Sequence, residues 1–222
     1  MMQNFAVVIA LYIPASLLIG WGTSAAAGWI GQHGGRVGRW AWRALLIVLT
    51  LVGVARQARV IQSEFAMVTR PDMRAMAWIR EHTPRDTLFL VEGFRIYGGR
   101  SAVGSDAGWW LPLLAGRRNT MPPQYALLNE VPTEPEYSQR VVELVTRLEG
   151  ASLASPEGLR PLCEWGISHI YIGQGQGKVG LGAVQLFSPQ DMMTSSPFDL
   201  RYHQDHVYIF ALRYEACGEG AP

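Results

Sequence analysis

The first 63 residues contain no aspartate or glutamate, and this absence restricts what that end of the chain can build. Its charge consists of five arginines, Arg36, Arg39, Arg43, Arg56 and Arg59. On either side of the first three lie uncharged apolar stretches. Phe5 to Trp21 is 17 residues long, at the short end of the roughly 17–25 that cross a bilayer as a helix. Ala44 to Ala55 is only 12, but Trp40 and Trp42 add an interfacial belt and Arg43 can reach outward along its own stem, which lengthens the effective span. Pro14, inside the first stretch, is tolerated in lipid where neighbouring groups satisfy the freed carbonyl. The expectation is a transmembrane helical hairpin over residues 1–59, with a Gly- and Ala-rich loop from Gly22 to Arg39 between its spans.

By the positive-inside rule the arginine-bearing loop is cytoplasmic, which puts the rest of the chain on the outer side of a plasma membrane as an extracytoplasmic domain. Arg56 and Arg59, directly after the second span, pull the other way. Ser24-Ala25-Ala26-Ala27 resembles a signal-peptide cleavage site, but no basic segment precedes the apolar run. With only four residues ahead of Phe5, the hairpin reads as the last two helices of a longer polytopic protein, or as a subunit that docks on one.

Residues 60–213 form the expected α/β domain, with α+β as the alternative, and 214–222 a flexible tail. After residue 63, 14 basic residues face all 18 acids, a net charge of −4, which excludes the electrostatic footprint of nucleic-acid binding. Pro71 and Asp72 open a helix through the proline and dipole preferences of a first turn, with Met73, Met76 and Ala77 on one face. Pro84 ends it, and Thr87-Leu88-Phe89-Leu90-Val91 reads as a strand buried on both faces. Glu92 to Pro123 reads as a long connection rich in glycine and aromatics. Thr133-Glu134-Pro135-Glu136 has capping-box form, followed by an apolar stripe at Tyr137, Val141, Leu144, Val145 and Leu148. Ser155-Pro156 starts a further helix closed by Gly166, Ile167 to Ile172 follows as a strand, and segments either side of His203 to His206 alternate as an antiparallel hairpin. The sheet is therefore small and mixed, with flanking helices and a C-terminal hairpin.

Several motifs fail on their context. Gly175, Gly177 and Gly180 match a dinucleotide loop, but no second strand with an acidic end closes a βαβ unit, and Val179 rules out a phosphate loop. His203 and His206 sit in a turn without a third ligand. Cys163 and Cys217 are too few for zinc; one buried and one tail thiol is favoured over a disulfide, which an outer location would permit. His169 alternates with Ile170 and Ile172 as a core histidine. No nucleophile–base pair can be argued from spacing, and neither a metal nor a cofactor is expected.

Four ordered blocks carry a family resemblance: AMAWIREHTPRDTLFLV, WLPLLAGRR followed by MPP, GISHIYIGQGQGKVG, and SPFDLRYHQDHVYIF. Together, over about residues 40 to 213, they resemble the C-terminal end of bacterial polytopic glycosyltransferases of the GT-C superfold, relatives of dolichyl-phosphate-mannose-type mannosyltransferases. The resemblance implies a lipid-phosphate-linked sugar donor and a catalytic acid in the first extracytoplasmic loop, whereas the first acid here is Glu64. This chain then reads as an accessory, non-catalytic portion, partnered by the bilayer, the catalytic transmembrane part, and a lipid-linked sugar or glycan acceptor. A free-standing membrane-anchored binding or scaffold module is the alternative.

Because α/β sheets place ligands outside the carboxyl ends of their strands, the loops Gly98 to Arg118 and Gly173 to Gly180 are the expected contact surface. They offer aromatic faces at Trp109 and Trp110, forked donors at Arg100, Arg117 and Arg118, amides at Gln174 and Gln176, and a carboxylate at Asp106. Trp109 and Trp110 either plug the domain or return to a membrane or partner.

Overall fold

The computed structural model describes residues 4–58, 66–121, 136–178 and 185–218. They fall into two compact units, Met1–Gln62 and Ser63–Pro222.

The first unit is a pair of helices, α1 (Asn4–His33) and α2 (Gly35–Ala58). Both are long and apolar enough to cross a membrane, over Ala10–His33 and Gly35–Gln57. Thr23, Ala26 and Ile30 of α1 and Gly38, Trp42 and Leu46 of α2 are its half-buried positions, spaced three and four apart as a helix seam requires. The loop expected from Gly22 to Arg39 is instead helical on both sides of a single break. Alanine is the strongest helix former, and backbone in an apolar setting must satisfy itself, so a Gly- and Ala-rich stretch stays wound. The break falls where Gly35 takes φ +57° and a Cβ on Gly34 would stand 2.8 Å from the Ile30 carbonyl oxygen. Arg36, Arg39 and Arg43 therefore lie in the opening turns of α2, with the Arg43 guanidinium over the Trp40 ring at 5.6 Å.

The second unit is an α/β domain around a mixed five-stranded sheet. Helix α3 (Arg70–His82) leads into β1 (Leu88–Val91). The hairpin β2 (Gly93–Ile96) and β3 (Ser101–Gly104), a turn of 3-10 helix (Ala107–Trp110), α4 (Leu111–Leu114) and β4 (Arg118–Asn119) follow. The connection expected to lack structure is thus built almost throughout. Then come α5 (Tyr137–Leu148), α6 (Pro156–Glu164), β5 (His169–Ile172), α7 (Pro189–Met193), β6 (Phe198–Gln204) and β7 (Val207–Leu212). The strand order is β4-β1-β5-β7-β6, with β2 and β3 paired apart from it. β1 runs parallel to β4 and β5, and β7 runs antiparallel to β5 and β6.

Local chemistry sets these boundaries. Thr69 caps α3 in a reciprocal box with Asp72, and Pro71 occupies the first turn. Ala75, Met76 and Ile79 enter the core, whereas Met73, expected on that face, is 48% exposed: the inward stripe is set by the turn that also buries Asp72. Of the expected capping box at Thr133, residues 133–135 lie outside the described residues; Glu136 precedes α5 with φ 65° and no side-chain cap. The α5 stripe buries Val141, Leu144, Val145 and Leu148 as its spacing predicts. Ser155 caps α6 by accepting from the Gly158 N–H, and Gly166 closes that helix, with the Ile167 N–H returning to the Leu162 carbonyl at 2.9 Å. Asp205 and His206 both take positive φ, as a two-residue hairpin turn demands, so of the two histidines expected in the turn only His206 lies there, while His203 is in β6 opposite Tyr208.

Cys163 and Cys217 form a disulfide, Cα to Cα 5.8 Å, joining the end of α6 to a 3-10 turn at Tyr214–Cys217. This overturns the expectation of two separate thiols; the segment after β7 folds back along α6, a proximity that sequence separation conceals. A disulfide removes freedom chiefly from the unfolded chain. Cys217→Ser should therefore lower the unfolding free energy by about 2–4 kcal/mol, read as a shifted urea midpoint that reducing agent reproduces in the wild type.

Candidate functional site

β1 and β5 are adjacent and parallel, so the segments leaving their carboxyl ends begin side by side, where open α/β sheets hold ligands. Three buried acids occupy that end of the domain: Asp72 from α3, Glu92 directly after β1, and Asp106 at the cap of the 3-10 turn. Each is bonded to backbone N–H groups of a neighbouring loop.

Asp72 has the most donors. Its Oδ2 accepts from the Thr69 N–H and hydroxyl at 2.8 and 2.6 Å, and its Oδ1 from the Tyr171 hydroxyl and the Gln174 N–H, each at 2.9 Å. Asp106 accepts from the Gly108 and Gly173 N–H groups at 2.8 Å each. A Cβ on Gly173 would stand 3.0 Å from Asp106 Oδ2 and 3.2 Å from Asp72 Oδ1, so a side chain there would wedge the two carboxylates from the strand end. Glu92 accepts from the Leu186 N–H at 2.8 Å and the Phe187 N–H at 3.3 Å.

Burial dominates the electrostatics. It pushes Glu92 up to about 8, against the lowering effect of the Leu186 N–H and with a further upward push from Asp106. It pushes Asp106 up to about 7, against the Gly173 and Gly108 N–H groups, with Asp72 adding repulsion. Burial, then the charge of Asp72, drives the Tyr171 phenol well above its ordinary value. His169 bonds Ser168 and is pushed down to about 4 by burial and by Arg201, so it is neutral at physiological pH. Among the described residues, no group of three or more His, Cys, Asp and Glu converges as a metal site.

The residues expected to form one surface separate into two sets. Asp106 links its own loop to the one after β5, so the Trp109 segment and Gln174 do meet. Trp109 is half-buried, with the Gly104 backbone against its Cβ, while Trp110 is 41% exposed and its ring lies 6.3 Å from that of Trp109. One tryptophan plugs the domain and the other faces outward. Gln176 takes φ 48° in the turn after Gln174, and Arg100 is exposed at the β2–β3 turn. Gly180 lies outside the described residues.

Arg117 and Arg118 sit elsewhere. Arg118 pairs with Leu88, at the start of β1, because a strand parallel to β1 must begin at that strand's amino end. Arg118 is exposed there, while Arg117 is buried. In place of a ligand contact, Arg117 donates to the Thr83 hydroxyl and to the carbonyls of Arg80, Thr83, Ala115 and Gly116. Its Nε and Nη2 donors close the carboxyl end of α3, while Nη1 ties the turn after α4 to the same guanidinium.

Sequence reasoning missed Asp72 and Glu92 as members of this site. Thr69 and Asp72 have the spacing of a capping box, which was the available signal for the first. An acid directly after a fully apolar strand was the signal for the second.

The arrangement is that of an α/β domain, following two helices long and apolar enough to cross a membrane, whose buried acids hold its strand-end loops in place. No protein-family model matches the chain, and no curated protein matches it. Among solved structures, the C-terminal globular domain of an oligosaccharyltransferase from Archaeoglobus fulgidus aligns with a TM-score of 0.39 and 11% identity, over 66% of this chain and 99% of that one.

The acids set a pH dependence. An acid whose pKa is raised by folding stabilises most fully below its unfolded value and loses that contribution as pH rises through the folded one. For Glu92 the window is about 4.5 to 8, and for Asp106 about 3.8 to 7. Asp199 and Glu164, pulled down by hydrogen bonds from Arg213 and Arg147, act oppositely at lower pH, and His169, pushed down to about 4, acts oppositely up to its unfolded value of 6.5. The urea midpoint of the domain, followed by tryptophan fluorescence, should therefore fall between pH 6.5 and 8, above the range in which His169 opposes the acids, and fall less in Glu92→Gln; an equally steep fall in that variant would remove Glu92 as the cause.

Proposed function

We propose that this chain is an accessory part of a membrane glycosyltransferase that uses a lipid-phosphate-linked sugar donor. The α/β domain stands on the extracytoplasmic side, and the strand-end loops touch acceptor or lipid phosphate while a partner segment supplies the catalytic acid. The observation that carries this reading is the use of Asp72, Glu92 and Asp106. Each is bonded to loop N–H groups at the strand ends, the work of a scaffold that holds a contact surface still. That surface offers Trp110, Gln174, Gln176 and Arg100. Support for the family comes from the four sequence blocks, which fall on α3 and β1, on α4 and β4, on β5, and on the β6–β7 hairpin.

Two features support the sidedness. Arg36, Arg39 and Arg43 cluster beside the break between α1 and α2, which the positive-inside rule assigns to the cytoplasm. The Cys163–Cys217 bond persists in an oxidising compartment. Because both native cysteines are bonded, single cysteines can report topology. In intact cells a membrane-impermeant thiol reagent should label Gln139→Cys and spare Gln32→Cys; the reverse pattern would invert the topology.

Transfer itself tests the role. In membranes holding the assembled transferase and a polyprenyl-phosphate sugar donor, Trp110→Ala should reduce transfer about tenfold, a loss of roughly 1.4 kcal/mol, with the domain's urea midpoint unchanged. If membranes from cells lacking this chain transfer as well as wild type, the accessory role is wrong.

A further inference from the structure

A second concave surface lies on the β2–β3 hairpin. It is a groove of about 720 Å³ lined by Gly93–Gly99, Glu149 and Leu186, within the roughly 300–1,000 Å³ of small-molecule sites. Three parts of the domain meet there, and each is fixed by something already described. The hairpin supplies Phe94 and Tyr97, 37% and 49% exposed. Tyr97 adopts φ 52°, a left-handed conformation in which bulky residues are rare and which keeps its ring at the groove. Glu149, just past α5, receives a bidentate contact from Arg95, Nε to Oε1 at 3.1 Å and Nη2 to Oε2 at 2.6 Å. Leu186 is held from beneath, its N–H bonded to the buried Glu92 carboxyl.

The chemistry of this lining selects a class of ligand. Among the described residues its lining has one cation and one anion, Arg95 and Glu149, paired with each other, so this lining offers no unpaired charge to a phosphate, a carboxylate or an ammonium. The pair still offers a planar array of donors and acceptors, each side chain partly open to solvent. Two aromatic side chains supply apolar surface beside it. A ring with hydroxyls at its edge and C–H groups on its face matches both parts, because each hydroxyl both donates and accepts. A purely apolar ligand would strand the ion pair, and a charged one would have to displace it.

We propose that this groove is a binding site for a neutral saccharide. Beyond the shared Leu186, a second depression of about 400 Å³ runs along Gly150–Ala154 and Gln185–Ser188, so a short oligosaccharide could extend past the hairpin. Its lining includes neither Trp109 nor Trp110, the aromatic residues of the loop proposed above to touch acceptor or lipid phosphate.

The test uses the full chain in lipid nanodiscs and three neutral probes, chitotriose, mannotriose and maltotriose, with binding followed by calorimetry and by saturation transfer to the sugar protons. At least one probe should bind saturably. Tyr97→Gly preserves the left-handed turn while removing the ring, and should weaken that binding at least tenfold; Arg95→Gln should weaken it at least fivefold. Trp110→Ala should leave it unchanged, so sugar binding can survive failure of the accessory role, and the reverse. The proposal is overturned if none of the probes binds, if both groove variants bind as the wild type does, or if an uncharged extended peptide occupies the groove in preference to the sugars.

Discussion

The carboxylate of Asp72 is the contact on which the outer domain's geometry depends. A buried acid demands donors, and this one draws them from three places: the residue that caps its own helix, a phenol on the central strand, and the loop beyond that strand. One side chain thus fixes where α3 begins, how that helix stands against β5, and where the chain goes after Gly173. Asp106 repeats the device from the other side of Gly173, and Glu92 does so for the segment entering α7. Hydrophobic burial accounts for compactness, but it is non-directional. The precise placement of loops at the strand ends comes from directional bonds to acids that the fold keeps out of water.

Arg117 completes the same scheme at the opposite end. At the start of α3 the Asp72 carboxyl accepts from the Thr69 N–H while the Thr69 hydroxyl accepts from the Asp72 N–H, and at the other end Arg117 meets the carbonyls of Arg80 and Thr83. A 13-residue helix is thereby capped at both ends by buried charged groups, each of which also belongs to the tertiary structure. Helix position and sheet register are consequently linked, since Arg117, bonded to Thr83 at the end of α3, directly precedes the residue that pairs with Leu88 of β1.

The elements legible in the sequence were those governed by local rules. Proline and serine at the starts of α3 and α6, the stripe of α5, the apolar run of β1 and the hairpin about His203 to His206 all act within a few residues of themselves. What escaped is what depends on distant partners. The hairpin β2–β3 hides in a run of glycines because its packing comes from α5. Asp72 looked like a surface charge on a helix dipole because its phenol donor lies 99 positions away. Arg117 and Trp110 looked like neighbours on one surface, yet α4 carries the chain from the carboxyl end of β1 back to its amino end between them. The helical run through Gly22 to Arg39 was misread because glycine signals a turn in water but packs within helices in an apolar setting.

The strand order has a consequence for how the domain is made. β7 lies inside the sheet, between β5 and β6, although it is the last strand in the sequence. Until Val207–Leu212 has emerged, β5 presents an open edge with apolar side chains, the kind of surface that recruits unintended strands. During vectorial synthesis the sheet is therefore incomplete until the β6–β7 hairpin has emerged. Its tight Asp205–His206 turn suits that role, since a hairpin that closes locally can dock on the waiting edge as one preformed unit.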